Sequence, residues 1–158
     1  MFLHPIPNKP LGIARKLFNY AGYQVIETKA FEGNYKKLDK RVMVDMSLTT
    51  LHHGHIRLLK QAAGLGHVIV ALTSDEEIIK CKGFTPTLSF DQRKEIALSI
   101  RYVDEVIISP YLIDEAFLNK NNVDLLVHGD DNVNPVPADR LIIFPRTPGI
   151  SSSEFKKG

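Results

Sequence analysis

From Arg41 onward, short apolar runs rich in β-branched residues alternate with segments whose apolar positions recur at helical spacing. Arg41-Val-Met-Val-Asp-Met46 predicts a strand, and the stripe Leu58, Leu59, Ala62 and Leu65 predicts a helix from Gly54 to Gly66. His67-Val-Ile-Val-Ala-Leu-Thr73 is almost continuously hydrophobic, the pattern of a strand covered on both faces. Ser74 with Glu77, and Ser89 with Gln92, fit the capping box, in which each side chain satisfies the other's free backbone N–H. Ser89 therefore opens a helix that runs to about Arg101. Val103 to Ile108, Val123 to His128 and Leu141 to Phe144 predict further strands, with a short helix from Asp114 to Lys120. Strands separated by helices of this length form right-handed βαβ units and a parallel sheet. The fold expected for residues 41–158 is α/β: a Rossmann-like, doubly wound parallel sheet. Residues 1–40 lack the rhythm and are expected to be an N-terminal accessory extension.

Composition narrows the function classes. The chain has 158 residues, enough for one domain, with 44% hydrophobic and 24% charged residues. A single cysteine, Cys81, excludes an internal disulfide framework and any multi-cysteine metal site, so a reducing compartment, the cytoplasm, is expected. No apolar run approaches the roughly 18 to 20 residues that span a bilayer, and no signal peptide is evident at Met1, so membrane insertion and export are not expected. With 20 basic and 18 acidic side chains spread along the sequence, nothing has the one-sided charge of a general nucleic-acid binder.

The densest chemical signal is Leu51-His-His-Gly-His-Ile56, between the first strand and its helix. Ligands of open α/β sheets bind at the carboxyl ends of the strands, where the strand order reverses, and the turn from Ser47 to His55 is the first such place. The spacing sets His52 just before the helix and His55 in its first turn, converging on one ligand, with Gly54 allowing close backbone approach. Free N–H groups and the positive end of the helix dipole favour a phosphate there. No Cys, Asp or Glu supplies an obvious third ligand, so a metal held by these histidines is not expected. Arg146-Thr-Pro-Gly-Ile-Ser-Ser-Ser153, after the last strand, repeats the physics: a guanidinium for bidentate phosphate contact, a glycine turn, then hydroxyls at a new helix start. Lys80-Cys-Lys82, expected in a loop, and Arg93 in the following helix add cations over the same crevice. The fourth strand ends in His128-Gly-Asp-Asp131, at the rim where a ligand is expected.

With these residues the chain resembles the cytidylyltransferase-like nucleotidyltransferases of the HIGH superfamily. His52-His53-Gly54-His55 fits the HxGH signature, and Arg146-Thr147-Pro148-Gly149-Ile150-Ser151-Ser152 fits the C-terminal one. Arg101-Tyr-Val-Asp-Glu-Val106 resembles the subgroup of glycerol-3-phosphate and phosphoethanolamine enzymes, and Ser74-Asp-Glu-Glu-Ile78 with Lys80-Cys-Lys-Gly83, Ser109-Pro-Tyr111 and Val127-His-Gly-Asp130 are similar to the phosphoethanolamine type in particular. The resemblance implies a CTP-dependent nucleotidyltransferase that couples CMP to a small phosphorylated alcohol or amino alcohol and releases pyrophosphate, with Mg²⁺ neutralising the triphosphate. It implies catalytic roles for His52, His55, Lys82 and Arg146. It implies nucleotide or acceptor contacts at Ser47, Gly54, Lys80, Arg93, Asp130, Thr147, Gly149, Ile150, Ser151 and Ser152. It also implies a homodimer in which Arg101 to Val106 takes part.

One departure bears on the acceptor. Met46-Ser-Leu-Thr49 stands where members commonly read Gly-Thr-Phe-Asp or Gly-Cys-Tyr-Asp, so a threonine replaces a carboxylate that would contact metal or acceptor. The Met-Ser start with His-His-Gly-His resembles a branch associated with phosphonate chemistry, which implies a small phosphonate as the alternative acceptor. Thr49 and the short segment after Phe155 also motivate a second alternative, a catalytically weak nucleotide-binding module.

Overall fold

The structure, a computed structural model, describes residues 40–131 and 133–145. The expectation for the N-terminal extension, Lys40 apart, and the motif from Arg146 to Ser153 lie outside the described residues. Five parallel strands form one sheet: β1 (Arg41–Met46), β2 (His67–Thr73), β3 (Glu105–Ser109), β4 (Leu125–Gly129) and β5 (Leu141–Phe144). Their order is β3-β2-β1-β4-β5. Helices α1 (His53–Ala63), α2 (Asp75–Lys82), α3 (Phe90–Leu98) and α4 (Glu115–Lys120) lie between successive strands up to β4, and a 3-10 turn at Ala138–Arg140 leads into β5. The chain steps outward from β1 to β3, then returns to the other side of β1. This is the Rossmann-like doubly wound sheet, with its order reversing between β1 and β4.

Successive strand residues point to opposite faces, and two cores follow. Val42, Val44 and Met46 of β1 and Val68, Val70 and Leu72 of β2 bury against Leu59 and Ala62 of α1 and Ala97 of α3. Met43, Ile69 and Ala71 face the other way and pack with Leu118 of α4, Ile113 and Leu126. Burial on both sides explains why β2 is apolar without alternation. Each of its fully buried Val, Leu or Ile side chains contributes about 1.5 to 3 kcal/mol. Asp45 interrupts this pattern on the Met43 face, at the carboxyl end of the central strand.

Two strands begin later than their sequence pattern predicts, and for one reason. Asp104 precedes β3, and its Oδ2 accepts from Val68 N at 2.8 Å while its own N–H donates to Val68 O. Asp124 does the same before β4, accepting from Arg41 N at 2.7 Å and donating to Arg41 O. In each case a carboxylate takes the place of a main-chain carbonyl and starts the ladder.

Helix limits also differ from the periodic expectation. α1 stops at Ala63 rather than Gly66, and Leu65 packs on the core from beyond it. α3 stops at Leu98 rather than Arg101, with Ile100 and Val103 packed on the same core. Ser89 and Gln92 form the expected capping box. At Ser74 only half of one forms: Ser74 Oγ accepts from Glu77 N at 3.2 Å, while Glu77 Oε2 takes the main-chain N–H of Tyr111 at 3.1 Å. Lys80 to Lys82 lie in the last turn of α2, not in a loop, and Gly83 ends the helix in the left-handed region at φ 73°. The first acidic turn and last basic turn of α2 both suit the helix dipole, which draws this segment into the helix.

Candidate active site

The turn after β1 carries the residues that the sequence marks as candidates for the site. Leu48 sits at φ 48°, in the left-handed region that bulky residues rarely adopt, and its side chain is buried in the core beside Met46. Core burial thus holds a strained backbone that delivers the next residues to the head of α1. His52 is the N-cap of α1 in extended backbone, and His55 is its third residue. Their rings stack with centroids 3.8 Å apart and planes 29° from parallel. His53 between them is exposed, so two of the three clustered histidines converge and one does not.

His55 has a defined protonation state. Its Nδ1 accepts from the main-chain N–H of His52 at 3.3 Å, so the neutral ring carries its proton on Nε2. Burial, then the charges of His52 and Lys82, lower its pKa to about 4. At neutral pH His55 is a neutral N–H donor at the head of a helix whose free N–H groups favour an anion.

Lys82 reaches the same turn from α2. Its Nζ donates to Ser47 Oγ at 2.9 Å and lies 5.7 Å from the ring centroid of Tyr111. Ser47 Oγ also lies 3.4 Å from Thr73 Oγ1, at the end of β2. Tyr111 is a neighbour that helical and strand periodicity did not flag, since it lies in the loop after β3. Lys80 is separate from this group: it is largely exposed and pairs with Glu77 at 3.5 Å.

Arg93 occupies a different place from the open cation expected over the crevice. Its side chain is fully buried beneath the turn. It donates to Ser47 O, to Thr73 O at 3.0 Å and to Asp75 Oδ1, while Asp75 Oδ2 accepts from Phe90 N at 3.0 Å. The guanidinium therefore ties the ends of β1 and β2 to the starts of α2 and α3. A buried arginine is tolerated because its planar fork meets several fixed acceptors at once.

On the other side of β1, Gly129 ends β4 and Asp130 stands exposed in the following turn. His128 and Asp131 lie beside it, and Asn134 Nδ2 donates to Asp45 Oδ2 at 3.0 Å. Asp45 and Asn134, missed by sequence reasoning, belong to this rim; the lone carboxylate inside an apolar strand was the signal. Gly54 is the second residue of α1. Arg146, Thr147, Gly149, Ile150, Ser151 and Ser152 follow β5 in sequence but lie outside the described residues. Of the Arg101 to Val106 segment, Tyr102, Val103 and Val106 pack on the chain's own core.

The donors around the head of α1 are imidazoles, hydroxyls and an ammonium, with Thr49 in place of a carboxylate. Mg²⁺ prefers hard anionic oxygens, and among the described residues no group of three or more His, Cys, Asp or Glu side chains could hold a metal ion. These side chains do not fit a protein-held Mg²⁺. Among the described residues no helix is long and apolar enough to cross a membrane.

The profile of the family described as cytidylyltransferase-like matches residues 50–158. The ethanolamine-phosphate cytidylyltransferase of Arabidopsis thaliana is 35% identical over 136 residues, covering 76% of this chain and 32% of that protein. The chain thus spans about a third of that relative's length. The glycerol-3-phosphate cytidylyltransferase of Bacillus subtilis is 33% identical over 123 residues, covering 75% of this chain and 95% of that protein. A crystal structure of the lipopolysaccharide core biosynthesis protein from Thermoplasma volcanium shares the fold, with a TM-score of 0.58 at 20% identity over 68% of this chain and 98% of that one. By its matched profile, its relatives and its strand order, the chain belongs to the cytidylyltransferase-like family.

Proposed function

We propose that this chain transfers CMP from CTP to a small acceptor bearing a phosphate or phosphonate, giving a CDP-linked or CMP-phosphonate product and pyrophosphate. An oxygen of the acceptor's phosphate or phosphonate attacks the α-phosphorus of CTP, and the bond from that phosphorus to the bridging oxygen breaks. The electron pair leaves with pyrophosphate. The nucleophile is already anionic, so the reaction needs neither a general base nor a covalent intermediate. Its barrier falls by alignment and by donors placed where charge builds.

The observation that carries this reading is the paired imidazole donors at the head of α1 facing a lysine fixed on Ser47. His55 contributes a neutral Nε2–H to the phosphoryl oxygens, and Lys82 contributes charge to the phosphates of CTP and acceptor. Arg93 acts beneath them, holding Ser47 in place. Arg146, Thr147, Ser151 and Ser152 complete the reading as contacts to the β- and γ-phosphates, by resemblance of their motif. Mg²⁺ belongs to this reading as the triphosphate's own counterion. A homodimer and a cytoplasmic location also belong to it.

The acceptor is tested by measuring pyrophosphate release with CTP, ATP, GTP and UTP against phosphoethanolamine, phosphocholine, glycerol-3-phosphate, 2-aminoethylphosphonate and 2-hydroxyethylphosphonate. The expected result is release with CTP and one acceptor class. The replacement of the family's aspartate by Thr49 favours including the phosphonates. Tight CTP binding with no release from any pairing would instead support a nucleotide-binding module.

A further inference from the structure

Opposite the imidazole pair, across the reversal point of the sheet, lies a second polar cluster with no part in the chemistry above. His128, near the end of β4, has acceptors at both ring nitrogens. Its Nε2 lies 3.2 Å from Asp45 Oδ1 on β1, and its Nδ1 lies 3.0 Å from Gly129 O and 3.6 Å from Asp131 Oδ1. A neutral imidazole has one N–H, so only the doubly protonated ring can both donate to Gly129 O and carry the charge that pairs with Asp45. The ring and the Asp45 carboxylate are both largely buried, with side chains 19% and 14% exposed, which limits solvent screening of the pair. Asn134 completes the cluster: its Nδ2 donates to Asp45 Oδ2 and its Oδ1 accepts from Ile113 N at 2.7 Å.

We propose that His128 is a positioning residue for the nucleotide. Its ring joins Asp45 at the end of β1 to Gly129 and Asp131 after β4, and thereby holds the turn carrying Asp130 against the crevice where the strand order reverses. The inference rests on the functional reading above. Doubly wound sheets bind ligands at that crevice, and the turn after β4 lines it beside the end of β1.

Among the described residues, the charged and titratable groups facing the ring are Asp45 from β1 and Asp131 from the turn after β4; Asn134 brings a neutral amide. Burial alone pushes the His128 pKa down. The bond to Asp45, the charge of Asp45, the Gly129 carbonyl and the charge of Asp131 outweigh it and hold the ring above the ordinary histidine value. As pH rises through that raised value the ring loses one proton, and a bare nitrogen faces an acceptor. The clamp is therefore complete below the histidine range and loosens above it.

The test is CTP binding to the full chain by calorimetry at about pH 6 and about pH 9, either side of the histidine range, for the wild type and His128→Gln. It is paired with an NMR titration of the His128 ring in the wild type and in Asp45→Asn. Titration of the CTP phosphates is common to both chains and cancels between them. The expected result is an affinity that falls by about tenfold more in the wild type than in His128→Gln, and a ring pKa that drops in Asp45→Asn. Equal affinities of the two chains at both pH values would overturn the role of His128 and leave the functional reading intact. A wild-type chain that binds no CTP at either pH overturns that reading, and the nucleotide role of His128 with it. A wild-type ring titrating at or below the ordinary histidine value would overturn the clamp without any variant having to fold.

Discussion

Lys82 Nζ donates to Ser47 Oγ at 2.9 Å, which joins the last turn of α2 to the first residue after β1. The contact crosses 35 residues of sequence and holds an exposed side chain beside the turn that leads into α1. A lysine loses considerable rotamer freedom when it is held, so pre-ordering it before substrate arrives lowers the cost of reaching the transition state.

Replacing Ser47 by Ala removes this anchor and leaves the main-chain carbonyl that Arg93 grips. Steady-state kinetics of Ser47→Ala should show kcat/KM lower by about tenfold with an unchanged melting temperature. Lys82→Ala should cost on the order of a hundredfold or more in kcat, the scale for losing a preorganised donor. A Lys82→Ala chain with near-normal kcat would remove the lysine from the mechanism.

His55 predicts an acid limb. Its folded pKa of about 4 lies below the unfolded value of 6.5, so the unfolded chain takes up a proton that the folded chain refuses. This contribution to stability is fully present above 6.5 and is lost as pH falls from there towards 4, by up to about 3 kcal/mol. Urea unfolding at a series of pH values should show that slope in the wild type and a shallower one in His55→Gln. An NMR titration of the His55 ring with a midpoint near 6.5 would contradict the burial that the structure gives it.

Arg93 is a structural clamp, and its loss should be read in stability first. Arg93→Ala empties a fully buried site and leaves the carbonyls of Ser47 and Thr73 without the guanidinium, while Asp75 keeps its bond from Phe90 N, so thermal unfolding should show a loss of about 3 kcal/mol. Arg93→Lys keeps the charge but cannot reach three acceptors in a plane, and it should recover only part of that loss. A fully stable Arg93→Lys chain with lowered CTP affinity would return Arg93 to direct ligand contact.

Asp104 and Asp124 carry the same device at two strand starts. Asp104→Ala and Asp124→Ala should each destabilise by about 1.5 to 3 kcal/mol, the range for a hydrogen bond to a charged group. Hydrogen exchange checks the location: the amides of Val68 and Arg41 should lose protection in the respective variants before the rest of the sheet does.

Much of this molecule is legible in its pattern. The apolar run of β2 announces burial on both faces, Ser89 and Gln92 announce the start of α3, and the spacing of His52 and His55 announces their convergence at one helix head. What escaped is long-range. Arg93 reads as a surface cation because helical periodicity is blind to the carbonyls of Ser47 and Thr73, 46 and 20 residues away, that draw it inside. The grip of Ser47 on Lys82 and the pairing of Asp45 with His128 depend on strand order, which sequence adjacency does not contain. Asp104 and Asp124 look like ordinary strand residues until the register shows each carboxylate replacing a carbonyl.

The central claim is a transfer of CMP, and following the α-phosphorus tests it most directly. CTP labelled at that phosphorus should yield label in a new phosphoanhydride, to phosphate or to phosphonate, only when a phosphate or phosphonate acceptor is present, with one pyrophosphate formed for each CMP transferred. Label appearing as free CMP regardless of acceptor, or no cleavage of CTP with any acceptor, would contradict it.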